Sequence, residues 1–172
     1  MKIVRSPWTA LFGRLAIGAL FLLAGSVKLA NPGSFAATLL AYGIFPVESL
    51  RVFALTLPWL EAGIGVSLLV GMFTRPAAYL AIAMLTVFML AIAQALLRGL
   101  CLDDCGCFGD VTVTMPALSL LLGGADTGWN DVVRDAIYLG IAVLVIVGPD
   151  TPFRLETHLR SFLHRSETVD GY

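Results

Sequence analysis

All three cysteines of the 172-residue chain fall in one seven-residue stretch, Cys101-Leu102-Asp103-Asp104-Cys105-Gly106-Cys107, followed by Phe108-Gly109-Asp110. Scattered structural thiols do not cluster in this way. A Cys-Gly-Cys unit can close a small disulfide ring, because glycine tolerates the backbone angles of a tight loop, and so strained a bond is readily reduced. Cys101 is then placed to attack that bond or to pair with either partner. An odd number of thiols leaves one over for exchange. Three readings compete: a disulfide relay, a soft-metal site and a simple loop staple. In the second, the thiolates join Asp103 or Asp104 around Cu(I), Zn or Hg. Ligand softness favours it, whereas the lack of a fourth thiol or a nearby histidine counts against it. The flanking aspartates oppose thiolate formation, which argues against an unusually reactive cysteine.

Lys28 and Glu61 are the second group with chemical potential. Each sits in a long apolar stretch, where an ionisable side chain is expensive and generally has a partner or a task. Both fall in the outer leaflet when counted from the ends of their stretches. They can pair to fix how two helices dock, or line a polar pocket for a quinone headgroup or similar ligand. His158 and His164 are six residues apart on different faces of any helix, which is poor spacing for a shared metal. No metal site is assigned.

The elements that must position these residues follow from composition. Hydrophobic residues make up 58% of the chain and charged residues 13%, about half the charge of a typical soluble domain. The expected fold is therefore all-α, an integral membrane bundle in a single domain. Four stretches, 9–30, 53–72, 77–97 and 132–148, approach or exceed the roughly 20 residues a helix needs to cross a bilayer. The first has the basic start of a signal peptide, but its length, Arg14 within it and the lack of a small-residue cleavage site favour a retained span. Gly18, Gly25, Gly63, Gly65 and Gly140 are expected to serve close helix packing. Arg14 is expected to snorkel to the inner headgroups.

With the N-terminus inside, Lys2, Arg5, Arg14, Arg75, Arg154, Arg160 and Arg165 lie on the cytoplasmic side, and Lys28, Arg51, Arg98 and Arg134 outside. The outer segments also hold Glu48, Asp103, Asp104, Asp110, Asp126, Asp131 and Asp135. This positive-inside bias predicts both termini in the cytoplasm and an extracytoplasmic cysteine loop between the third and fourth helices. In a bacterium that loop faces the periplasm, where disulfides persist. Asn31-Pro32-Gly33 and the Gly71–Pro76 segment read as turns, the second short enough to make its helices antiparallel neighbours. Between them, Ser34–Leu50 reads as a short helix or hairpin at the outer interface. The apolar run from Met115 to Leu122 is too short to span and suits a segment that dips into the interface or caps the bundle. Residues 153–172 read as a cytoplasmic tail, amphipathic over Phe153–Arg165 and suited to an anionic leaflet.

The run Phe21–Leu29 with Gly25 and Lys28, then Pro58-Trp59-Leu60-Glu61, Gly63 and Leu68–Gly71, resembles the opening helices of DoxX-like membrane proteins. Arg98-Gly99, Cys105-Gly106-Cys107-Phe108-Gly109 and Trp129 through Arg134-Asp135 resemble the MauE branch, the methylamine-utilisation group. The resemblance covers most of residues 9–148 and implies a four-helix membrane bundle in redox work. MauE proteins are thought to act beside a thioredoxin-like protein in forming the disulfides of the small subunit of methylamine dehydrogenase. DoxX-type relatives are linked to thiol or sulfur oxidation, in some cases with quinone. By that resemblance Cys101, Cys105 and Cys107 bear the redox chemistry, and Lys28 and Glu61 are the matched intramembrane polar positions. The expected function is thiol:disulfide exchange with a thioredoxin-like periplasmic partner at the bacterial inner membrane, and the DoxX-type resemblance implies quinone as the linked cofactor. A soft-metal binding or transport protein and a non-catalytic membrane subunit are the alternatives.

Overall fold

The computed structural model describes residues 7–44, 46–100 and 128–148. The cysteine loop, the Met115–Leu122 run and the C-terminal tail lie outside the described residues. Among the described residues five helices follow one another: α1 (Pro7–Ala30), α2 (Pro32–Tyr42), α3 (Val47–Val70), α4 (Thr74–Leu97) and α5 (Trp129–Val147). Among the described residues there is no strand. Three helices, α1, α3 and α4, are long and apolar enough to cross a membrane. The fourth expected span, 132–148, overlaps α5, a 19-residue helix with Asp131, Arg134 and Asp135 near its N-terminus that is not among those three.

Local chemistry sets the boundaries. Asn31 stops α1 and starts α2, its side-chain oxygen accepting a hydrogen bond from the Ser34 backbone N–H at 3.3 Å, with Pro32 in the first turn of α2. Proline costs nothing there, since that N–H has no helical partner. The expected short helix between the first two spans is thus α2, and its buried Phe35, Leu39 and Tyr42 bring it onto the bundle. At the α3–α4 turn, Gly71 adopts the left-handed conformation at φ 78° and donates its N–H to the Ser67 carbonyl, an arrangement that favours glycine.

The tightest contact is between α1 and α3. A β-carbon at Gly65 would lie 2.5 Å from the Leu22 nitrogen and 2.8 Å from the Gly18 carbonyl oxygen; one at Gly25 would meet Pro58 and Ala62 backbone at 2.8 and 2.7 Å. Gly18 and Gly25 thus approach Gly65 and Ala62 in antiparallel order, backbone against backbone, as small residues permit in membranes. Gly63 and Gly140 differ from the expectation: nothing lies within 4 Å of a β-carbon at either. They are on helix faces turned away from a neighbour.

Helices α4 and α5 pack antiparallel, with Ala78, Ala81 and Leu85 in one core cluster with Tyr138, Ala142 and Val145, and Ile92 and Ala95 beside Val132 in another. Outward faces carry large apolar side chains such as Phe12, Trp59, Leu80, Leu90, Ile137 and Val147. Arg14, Lys28, Glu61, Asp131 and Asp135 are nevertheless buried. Arg14, only 2% exposed, is enclosed by the bundle rather than snorkelling to headgroups, and it is not without a partner.

Candidate functional site

Lys28 lies in the last turn of α1 and Glu61 on the face of α3 turned toward it. Their Nζ and Oε1 atoms are 2.5 Å apart, and the residues are 3% and 1% exposed. The ammonium also faces two aromatic rings, 4.9 Å from the centroid of Phe35 on α2 and 4.8 Å from that of Phe88 on α4. Ring faces attract a cation, and more so when it is desolvated. Four helices therefore meet on one side chain. The second Glu61 oxygen, Oε2, is buried without a hydrogen-bond partner among the described residues.

Helix α5 adds groups that the linear reading placed in an outer loop. Asp131 and Asp135 are both buried. Asp131 closes the start of α5: its Oδ2 accepts the Gly128 N–H at 2.9 Å, while its Oδ1 accepts from Arg134 at 2.6 Å. A carboxylate in the first turn also suits the positive end of the helix dipole. One turn further in, Asp135 Oδ1 stands 3.6 Å from Arg134, while its Oδ2 is buried with no partner among the described residues. The spacing 131, 135, 138, 142, 145 is one helical face, and all five residues are buried. That periodicity was the signal in the sequence for Asp135 and Tyr138; the neighbouring charges masked it.

Lys28, Glu61, Asp135, Tyr138 and Phe88 line one cavity of about 30 Å³, otherwise walled by Ile17, Phe21, Leu85 and similar apolar groups. That is space for a water or two. Phe88 separates it from a much larger apolar cleft of about 560 Å³ formed by α2, α3 and α4, with Phe35, Leu39, Phe53, Leu57 and Val87 among its walls. Gln94 lines that cleft, and its Oε1 is buried without a partner among the described residues. Where the cysteine segment leaves α4, Leu100 packs with Ala24, Tyr42, Ile92 and Val132; where it rejoins, Gly128 caps α5. Both ends of the segment thus sit at the end of the molecule that holds the Lys28–Glu61 pair. Cys101, Cys105 and Cys107 themselves lie outside the described residues.

These features define an all-helical membrane protein with an apolar exterior and an ionic site inside. A family profile described as "Methylamine utilisation protein MauE" matches residues 6–148. The chain belongs to that family. It is similar to proteins named methylamine utilization protein MauE from three bacteria. Identity with the Paracoccus denitrificans protein is 39% over 95 residues, covering 55% of this chain and 51% of the relative. With the Methylophilus methylotrophus protein it is 34% over 106 residues, or 62% and 56% of the two chains. With the Methylorubrum extorquens protein it is 34% over 128 residues, or 74% and 68%. The chain thus spans little more than half the length of the first two relatives. No solved structure gives a significant match.

Proposed function

We propose that this protein is a thiol:disulfide exchange protein of the bacterial inner membrane, serving the disulfide maturation of an extracytoplasmic protein in the manner ascribed to its family. The observation that carries the reading is the cysteine motif together with its attachment: three thiols in seven residues, on a segment whose two ends meet the bundle beside its buried ionic site. Helix α5 is the fourth span. Its 19 residues extend about 28 Å at the helical rise, close to the thickness of a hydrocarbon core, and its three charges lie at one end. With four spans both termini are cytoplasmic and the cysteines face outward.

In the exchange step, a thiolate of a reduced thioredoxin-like partner attacks a disulfide within the Cys101, Cys105, Cys107 cluster. A mixed disulfide forms and one cluster cysteine leaves as thiolate. The partner's second thiolate then breaks the mixed bond, so the partner ends oxidised and the cluster holds two thiols. Reforming the cluster disulfide releases two electrons and two protons, which a membrane quinone held by the residues of the α2, α3 and α4 cleft would accept. The apolar cleft walled by α2, α3 and α4 is of a size for such a ring and part of its tail, since ligand sites commonly span 300–1,000 Å³. Its Gln94 offers a polar contact, and Lys28 and Glu61 stand behind the shared Phe88 wall. The relatives are named for methylamine utilisation, and methylamine utilisation is the corresponding role here.

The test is to replace each of the three cysteines by serine in the full chain and follow oxidation of a thioredoxin-like dithiol protein in membranes. One variant is expected to accumulate a mixed disulfide and another to lose trapping altogether. Wild-type partner oxidation by all three variants overturns the proposal and leaves a docking subunit. Metal retained stoichiometrically on purification and lost on thiol alkylation overturns it in favour of a soft-metal protein.

A further inference from the structure

We infer that the small cavity between α1, α3, α4 and α5 is a proton-binding site, in which one proton, carried with one or two waters, is shared between Glu61 and Asp135. The inference goes beyond thiol exchange and does not depend on it. Two observations carry it. Glu61 Oε2 and Asp135 Oδ2 are each buried and without a hydrogen-bond partner among the described residues, and their residues line the same cavity. An unpaired buried carboxylate oxygen is costly, and water or a proton is what relieves it in so small a space.

The second observation is the charge count. Lys28 lines the cavity from α1, Glu61 from α3, and Asp135 and Tyr138 from α5; the Asp131–Arg134 pair stands beside Asp135 on α5. Helices α4 and α2 bring only uncharged groups, among them Leu85, Phe88 and Phe35. Arg14 lies about four helical turns away along α1. Among the described residues two cations thus stand with three carboxylates, leaving one negative charge uncompensated in an apolar interior. Asp131 is already satisfied by Arg134 and the Gly128 N–H. The excess therefore falls on Glu61 and Asp135, which among the described residues have between them Lys28 and the longer 3.6 Å contact to Arg134. A single proton balances the set, and the two orphan oxygens are where it and its water bind.

The full-length protein in lipid nanodiscs tests this by infrared spectroscopy across a pH titration. Wild type is expected to show a carboxylic-acid C=O band near neutral pH that shifts in heavy water and vanishes as pH rises, at the same place in lithium, sodium or potassium chloride. E61Q and D135N each remove the surplus charge, so either substitution is expected to abolish the band while circular dichroism reports retained helix. Absence of the band in wild type overturns the inference whatever the variants do. So does its persistence in both folded variants, or its replacement by a response to the choice of alkali cation.

Discussion

A lysine and a glutamate held 2.5 Å apart inside the bundle depend on one another more than on anything else around them. Breaking a buried pair by removing one partner costs about 3–5 kcal/mol, because a charge is left alone in low dielectric. Lys28→Met, which leaves Glu61 and Asp135 without the lysine they both face, is therefore expected to lower the unfolding free energy by about that amount; E61Q, which leaves Asp135 facing Lys28, is expected to cost less. The double variant Lys28→Met/Glu61→Met is expected to recover most of the loss, since an apolar pair of similar length suits its surroundings. Reversible denaturation in mixed micelles measures all three; a double variant as unstable as the sum of the singles would assign the pair a role other than mutual neutralisation. Both residues were legible in the sequence because each interrupts an apolar run. Asp135 was not, because next to Asp131 and Arg134 it reads as one more loop charge, although it is 2% exposed. Arg14 was seen, but the linear chain carries no record of what its guanidinium meets.

Between elements, glycine matters only where backbones touch. Gly65→Ala puts a methyl group within 2.5 Å of the Leu22 nitrogen, and backbone on the facing helix cannot rotate away as a side chain would. The expected cost is about 1–3 kcal/mol or more, the range for overpacking. Gly63→Ala meets open space and is expected to be neutral, or stabilising by up to about 1 kcal/mol through helix propensity. Comparing the two melting temperatures in one detergent checks both, and equal effects would contradict the α1–α3 contact. The sequence marked these glycines as a set, two residues apart on one helix, without saying which faced a neighbour. Helix ends were more legible: Asn31-Pro32 and Gly71 are signals read within a few residues, and they fall at the observed boundaries of α2 and α3.

The whole molecule turns on whether α5 crosses the membrane, and the parity of spans decides where the chain ends. Four crossings return the C-terminus to the side of the N-terminus, and three leave it on the other. A C-terminal epitope in sealed, right-side-out vesicles is expected to resist external protease while the segment holding Cys101, Cys105 and Cys107 reacts with an impermeant maleimide. Digestion of the epitope would reduce the spans to three and withdraw α5 from the bilayer. Membrane class, the three apolar helices and the cysteine motif were all determined by the sequence alone, because hydropathy and local spacing are properties of short stretches. Which side chains meet was decided only by tertiary structure. A soluble helix reveals its buried face by contrast with a polar one, but in a bilayer both the packed and the lipid-facing sides are apolar. Rotation about each helix axis is then set by close packing such as Gly25 and Gly65 allow, and that rotation brings Lys28, Glu61, Phe88, Asp135 and Tyr138 around one cavity.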